Sequence, residues 1–128
     1  MIRLDSRDAR PIYEQVMDSL RRLVVSGAIQ PGEQLPSVRD LALEAGVTPT
    51  PMQRALSELE REGLVYSQRT AGRFITDDRQ LLQNLSREQA DAQVRAMLQA
   101  VRALGYDGPA ILGLVQRALE ETESERKA

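Results

Sequence analysis

In 128 residues this chain has no cysteine, no histidine and no tryptophan, and Phe74 is its one phenylalanine. Without cysteine there is neither a disulfide nor a thiolate metal site, which fits a reducing cytosol. Without histidine the usual general base and the commonest metal ligand are missing. A catalyst built from this chain would depend on Asp, Glu, Ser, Lys or a cofactor. No Gly-rich phosphate loop and no spaced carboxylate cluster stands in the sequence, so no enzyme, no cofactor and no metal are expected. No apolar run approaches the roughly 18 residues of a membrane span. The first fifteen residues, MIRLDSRDARPIYEQ, carry charges throughout and lack a signal-peptide h-region. A cytoplasmic chain without a membrane partner is expected, with a core of Leu, Val, Ile and Ala.

Lysine is almost missing as well. Lys127 is the only one, and the other sixteen basic residues are Arg. The net charge is −2, but the distribution of charge along the chain matters more than the sum. Residues 1–76 hold ten Arg against ten acids, and the acidic excess falls in residues 77–128.

What is present is a succession of short amphipathic segments. Ile12, Val16, Leu20, Leu23 and Val24 repeat at helical spacing, predicting a helix from Pro11, at its N1 position, to about Ser26, stopped by Gly27. Pro31-Gly32 marks a turn with room for a very short strand. A second helix is expected from Ser37, with Asp40 completing a capping pattern, burying Val38, Leu41, Ala42 and Ala45 and ending at Gly46. A third is expected after Thr50, with Pro51 at N1 and a Thr50–Gln53 capping box, burying Met52, Ala55, Leu56 and Leu59 up to Gly63.

Two helices joined by a short turn, the second suited to the DNA major groove, form a helix-turn-helix. The period then changes. Val65, Tyr66, Arg73, Phe74 and Ile75 suit two strands with Arg69–Gly72 as their turn, which makes the helix-turn-helix a winged one. Phe74 is expected in the core.

The remainder reads as helical. Ser86 and Gln89 suggest a helix restarting there. Val94, Met97, Leu98, Val101 and Leu104 form one apolar stripe, and Gly105 is a stop with Tyr106 folding back. A last helix follows Pro109, with Ile111, Leu112, Val115 and Leu119 on its apolar positions. Two helices cannot readily bury Val94, Met97, Leu98, Val101, Ile111, Leu112, Val115 and Leu119 alone, and a second copy would cover them through a twofold interface. Gly113 would allow close helix approach.

The strings PIYEQV, SGAIQPGEQLPSVRDLALEAGVTPT and RALSELEREGLVYSQRTAGRFIT together resemble the DNA-binding domain of the GntR family of bacterial transcription regulators, over residues 11–76. The short helical tail is similar to that of the YtrA subfamily, where it serves dimerisation. The resemblance implies a mainly α fold with a small β-hairpin wing: a winged helix-turn-helix over 1–76 and a helical dimerisation tail over 77–128. It implies a dimeric, sequence-specific repressor that binds double-stranded DNA at a pseudo-palindrome. It also leaves room for a small-molecule effector.

Matching positions imply DNA contacts at Arg39, Thr48, Thr50 and Gln53, with Ser37 and Arg54 as further candidates, while capping is the alternative role of Ser37, Thr50 and Gln53. In the wing Gly72 keeps the turn, and the basic charge sits at Arg69 and Arg73, which flank the tip and suit the minor groove, the alternative being strand-edge Arg in water. Two departures stand out. Pro51 replaces a polar residue, and the wing keeps one Gly, with Arg73 where relatives carry Thr. A winged helix used for protein contact, without DNA, remains the alternative, and the position of the Arg residues discriminates the two.

Overall fold

Helix α1 (Ile12–Val25) carries most of the stripe read from the sequence, turned slightly from its expected face. The computed structural model describes residues 2–127. Pro11 is the N-cap and not the first helical residue. Val16, Met17, Leu20 and Val24 are buried, while Ile12, expected inside, is 42% exposed. The polar Gln15 and Ser19 are buried instead because they hold the N-terminal segment. The Arg3 N–H donates to Ser19 Oγ and the Asp5 N–H to Gln15 Oε1, each at 3.3 Å. Gln15 Nε2 donates to the Arg10 carbonyl at 3.0 Å, and Ile2 enters the core.

Helix α2 (Val38–Ala45) starts as expected: Ser37 Oγ accepts from the Asp40 N–H at 3.1 Å. It stops at Gly46, whose φ of +72° is the left-handed conformation that glycine adopts without strain. Helix α3 (Pro49–Arg61) starts two residues before the expected point, with Thr48 as N-cap. Pro49, and not Pro51, is therefore at N1. The predicted Thr50–Gln53 capping box is not formed, since both residues lie inside the helix. Met52, Ala55, Leu56 and Leu59 are fully buried, as their spacing requires.

Strands β1 (Val65–Gln68) and β2 (Gly72–Ile75) pair antiparallel, with Val65 opposite Ile75 and Ser67 opposite Arg73. Residues 32–35 close the other side of β2. The Leu35 N–H donates to the Arg73 carbonyl at 2.8 Å and the Ile75 N–H to the Glu33 carbonyl at 2.9 Å. The very short strand expected there exists as a single bridge between Gln34 and Phe74. Phe74 itself is not in the buried core. It lies half-buried on the opposite sheet face, stacked on Tyr66 with ring centroids 5.5 Å apart.

The core joins α1, α2, α3 and the hairpin through Val16, Leu20, Met52, Leu56, Leu59, Leu64, Val65 and Ile75. Each such aliphatic side chain contributes roughly 1.5–3 kcal/mol by leaving water.

Helix α4 (Arg79–Ala103) is continuous through Ser86, where a restart was expected. Its cap lies upstream, at Asp78, whose Oδ1 accepts from the N–H groups of Gln80 and Leu81. Leu81, Leu82 and Leu85 pack against the core, so the first compact unit extends to residue 86 and not to 76.

The second unit holds the rest of α4 and helix α5 (Gly108–Lys127). Gly105, at φ +97°, ends α4, and Asp107 Oδ1 caps α5 through the Ala110 N–H at 3.0 Å. Ile111 is buried, and Leu98, Val101 and Val115 are half-buried. Met97 and Tyr106 are exposed, as are Val94 (53%), Leu104 (75%), Leu112 (69%) and Leu119 (57%). Among the described residues no close approach occurs at Gly113, where an added Cβ would meet nothing within 4 Å.

Candidate nucleic-acid interface

The outward face of α3 follows from its inward one. With Met52, Ala55, Leu56 and Leu59 in the core, the opposite side carries Thr50, Gln53, Arg54, Ser57 and Arg61, at the i, i+3, i+4, i+7 and i+11 positions. All five are exposed and none is acidic. Gln53 Nε2 donates to Ser57 Oγ at 3.3 Å, so this amide lies along the helix instead of capping it. Thr48 makes no side-chain cap bond, which leaves its hydroxyl available. Pro49 and Pro51 have no N–H, so Thr50 supplies the one N–H among the first three helical residues.

Ser37 and Arg39 stand at the start of α2, which packs against α3. Ser37 Oγ is already the cap acceptor, with its own hydroxyl proton still to donate. Arg39 is exposed, with no ion pair to another described residue. Arg54 leans the other way: its guanidinium lies 3.8 Å from the ring centroid of Tyr13 on α1.

The acids on the C-terminal half of α3, and Glu62 at its C-cap, are each engaged by an Arg. Glu58 pairs with Arg61 at 3.6 Å, Glu60 with Arg73 at 2.8 Å, and Glu62 with Arg21 of α1. The balanced charge of this unit therefore does not put free carboxylates beside the outward face of α3.

In the wing the predicted residues separate. Arg69 is exposed in the turn. Gly72 has φ +98°, and a Cβ there would lie 3.3 Å from Gln34 Nε2, so its role is conformational. Arg73 is turned inward onto Glu60. Hydrogen bonds, first from Ser67 and then from Arg73, hold the Glu60 carboxyl below the usual carboxylate range.

Sequence reasoning missed Tyr13, on which Arg54 rests, and Gln34, Glu60 and Ser67, which hold the wing. Only hairpin register, which pairs Ser67 with Arg73, offered a signal for any of them. Among the described residues no group of three or more Asp or Glu is arranged to hold a metal. No described helix is long and apolar enough to cross a membrane.

Known proteins are similar to this chain in sequence and in fold. The family model described as bacterial regulatory proteins, gntR family, matches residues 12–75. The chain is 40% identical over 78 residues to the HTH-type transcriptional repressor YtrA of Bacillus subtilis (strain 168), covering 61% of this chain and 60% of YtrA. A GntR family transcriptional regulator from Listeria monocytogenes matches with a TM-score of 0.78 and 31% identity, covering 89% of this chain and 98% of that one. AraR(DBD) in complex with operator ORR3 matches with a TM-score of 0.51 and 29% identity, covering 57% and 88%. The residues that the family model matches are those of the winged helix-turn-helix described above. The chain belongs to the gntR family of bacterial regulatory proteins and is similar to YtrA within it.

Proposed function

We propose that this chain is a sequence-specific DNA-binding transcription regulator, working in the cytoplasm as a homodimeric repressor on a pseudo-palindromic operator, without catalysis. The observation that carries the reading is the acid-free outward face of α3, with the exposed Arg39 at the start of the packed α2. A helix of that kind enters the major groove, where Gln pairs with adenine and Arg with guanine or phosphate.

In this reading Thr50 and Gln53 meet base edges, and Ser37, Arg39, Thr48 and Arg54 meet the backbone or guanine. Arg69 reaches the minor groove from the wing. AraR(DBD), a neighbour in fold, is described in complex with an operator. The YtrA relative is named a repressor, and the chain spans about three-fifths of its length.

The dimer rests on the second unit. Val94, Leu104, Leu112 and Leu119 are more than half exposed, and covering each would contribute roughly 1.5–3 kcal/mol at full burial. A second copy supplies the same chemistry and makes the interface isologous. Two reading helices about a twofold axis then address half-sites about one helical turn, roughly 34 Å, apart.

Selection of bound duplexes from a random pool, at two salt concentrations, tests the whole reading. An inverted repeat bound far more weakly at high salt is the expected result. Weak, sequence-independent retention would turn the reading to protein contact.

A further inference from the structure

Three side chains from three elements meet beside the wing. Glu60 is in the last turn of α3, Ser67 in β1 and Arg73 in β2. Ser67 and Arg73 are cross-strand partners, so their side chains leave the sheet on one face. Two residues along, that face carries Val65 and Ile75, both buried in the core. The core-facing side of the hairpin thus continues outward as a polar pair, which Glu60 closes. Its Oε1 accepts from Ser67 Oγ and, at 2.8 Å, from Arg73 Nε.

Charge-assisted bonds of this kind are stronger than neutral ones, and both partners of the ion pair are largely shielded. On the other side of β2, the Gln34 amide donates to the Ala71 carbonyl in the turn. The hairpin is therefore tied to α3 on one side and to residues 32–35 on the other. Arg73 keeps only 23% of its side chain exposed, whereas Arg69 in the turn is exposed.

We propose that Glu60 is a positioning residue for DNA recognition, fixing the wing against α3, and that Arg73 acts through Glu60 and not on the DNA. This rests on the DNA reading given above. It makes an otherwise unfavourable placement intelligible: a carboxylate on a helix that approaches a polyanion lowers affinity unless it performs another task.

The probe is the duplex that the wild-type chain enriches from a random pool. Its affinity is measured across a salt series for wild type, Glu60→Ala, Arg73→Ala, the double variant and Arg69→Ala. Removing the negative charge of Glu60 should weaken binding, by about tenfold, the scale of coupling between contacting residues. Arg73→Ala should do the same, and the double variant should be no worse than either. Neither change should alter the salt slope, while Arg69→Ala should reduce it by about 0.9, one released counterion.

Glu60→Gln keeps an acceptor for Ser67. It should recover part of the loss, and it carries the same comparison if Glu60→Ala does not fold. Binding by either Glu60 variant as tight as wild type, or tighter, overturns the proposal. So does a slope lowered by one phosphate in Arg73→Ala. A wild-type chain that enriches no duplex removes the DNA reading with it, so failure in the wild type and failure in the variants are separate results.

Discussion

Tyr13 shows how one ring can decide where a guanidinium of α3 lies. Arg54 rests on its face, a contact of about 0.5–1 kcal/mol at an exposed site. Tyr13→Phe keeps that face and should leave binding to the selected duplex unchanged. Tyr13→Leu frees Arg54 and should weaken binding by a few-fold, read by fluorescence anisotropy. Equal affinities for the two variants would remove Tyr13 from any role in the interface. Glu60 carries a second residue-scale consequence. Its carboxyl is held below its ordinary pKa, so near pH 4 the native chain binds fewer protons than the unfolded one. The stability it contributes is present above the ordinary glutamate value of about 4.3 and is lost as pH falls through the lower native value. Urea midpoints at pH 7 and pH 3 should therefore differ less in Glu60→Gln than in wild type, and an equal difference would contradict the assignment. Neither contact was legible in the sequence. Tyr13 and Arg54 are joined only by the packing of α1 on α3, and Glu60 meets Arg73 only once the hairpin register is set. The Ser37 cap was legible, because its acceptor and donor lie three residues apart.

Helices were read best where the chain itself supplies a stop. Gly46 ends α2 at the predicted place, since a left-handed residue there needs no tertiary partner. The start of α3 was read two residues late because two prolines stand within three residues, and either suits a first helical turn. The Ser86 restart failed for a related reason. A capping-box pattern also fits the middle of a helix, and only Gly, Pro or a competing acceptor would have broken α4 there. The wing was legible from its change of period, but the contribution of residues 32–35 was not, because backbone pairing with β2 leaves no side-chain signature. Ser37→Ala removes the one side-chain bond at the start of α2 and should cost about 1 kcal/mol, seen as a lower urea midpoint. An unchanged midpoint would mean that packing of Leu41 and Ala42 alone holds that helix.

At the scale of the molecule, the division into a winged unit and a helical tail was readable from apolar periodicity. The boundary was not, because Leu81, Leu82 and Leu85 look alike whether they cover the first unit or begin the second. Leu112→Glu with Leu119→Glu should give a monomer by light scattering while circular dichroism stays that of a helical protein. Binding to a two-half-site duplex should then fall by 10²-fold or more, as linked binding is lost. A variant that stays dimeric would place the second copy elsewhere. The pairing of acids along α3 has a consequence of another kind. The sequence pI of about 5.2 describes the whole chain, while the ion pairs of Glu58, Glu60 and Glu62 shape the field around one helix. In residues 87–127 the only ion pair among described residues joins Glu123 to Arg126, so the carboxylates there remain open to solvent. On a chromatography bench this is an acidic protein with two addresses. At neutral pH it should be retained by an anion exchanger through its tail and by heparin through α3, and elute from the two at unrelated salt concentrations.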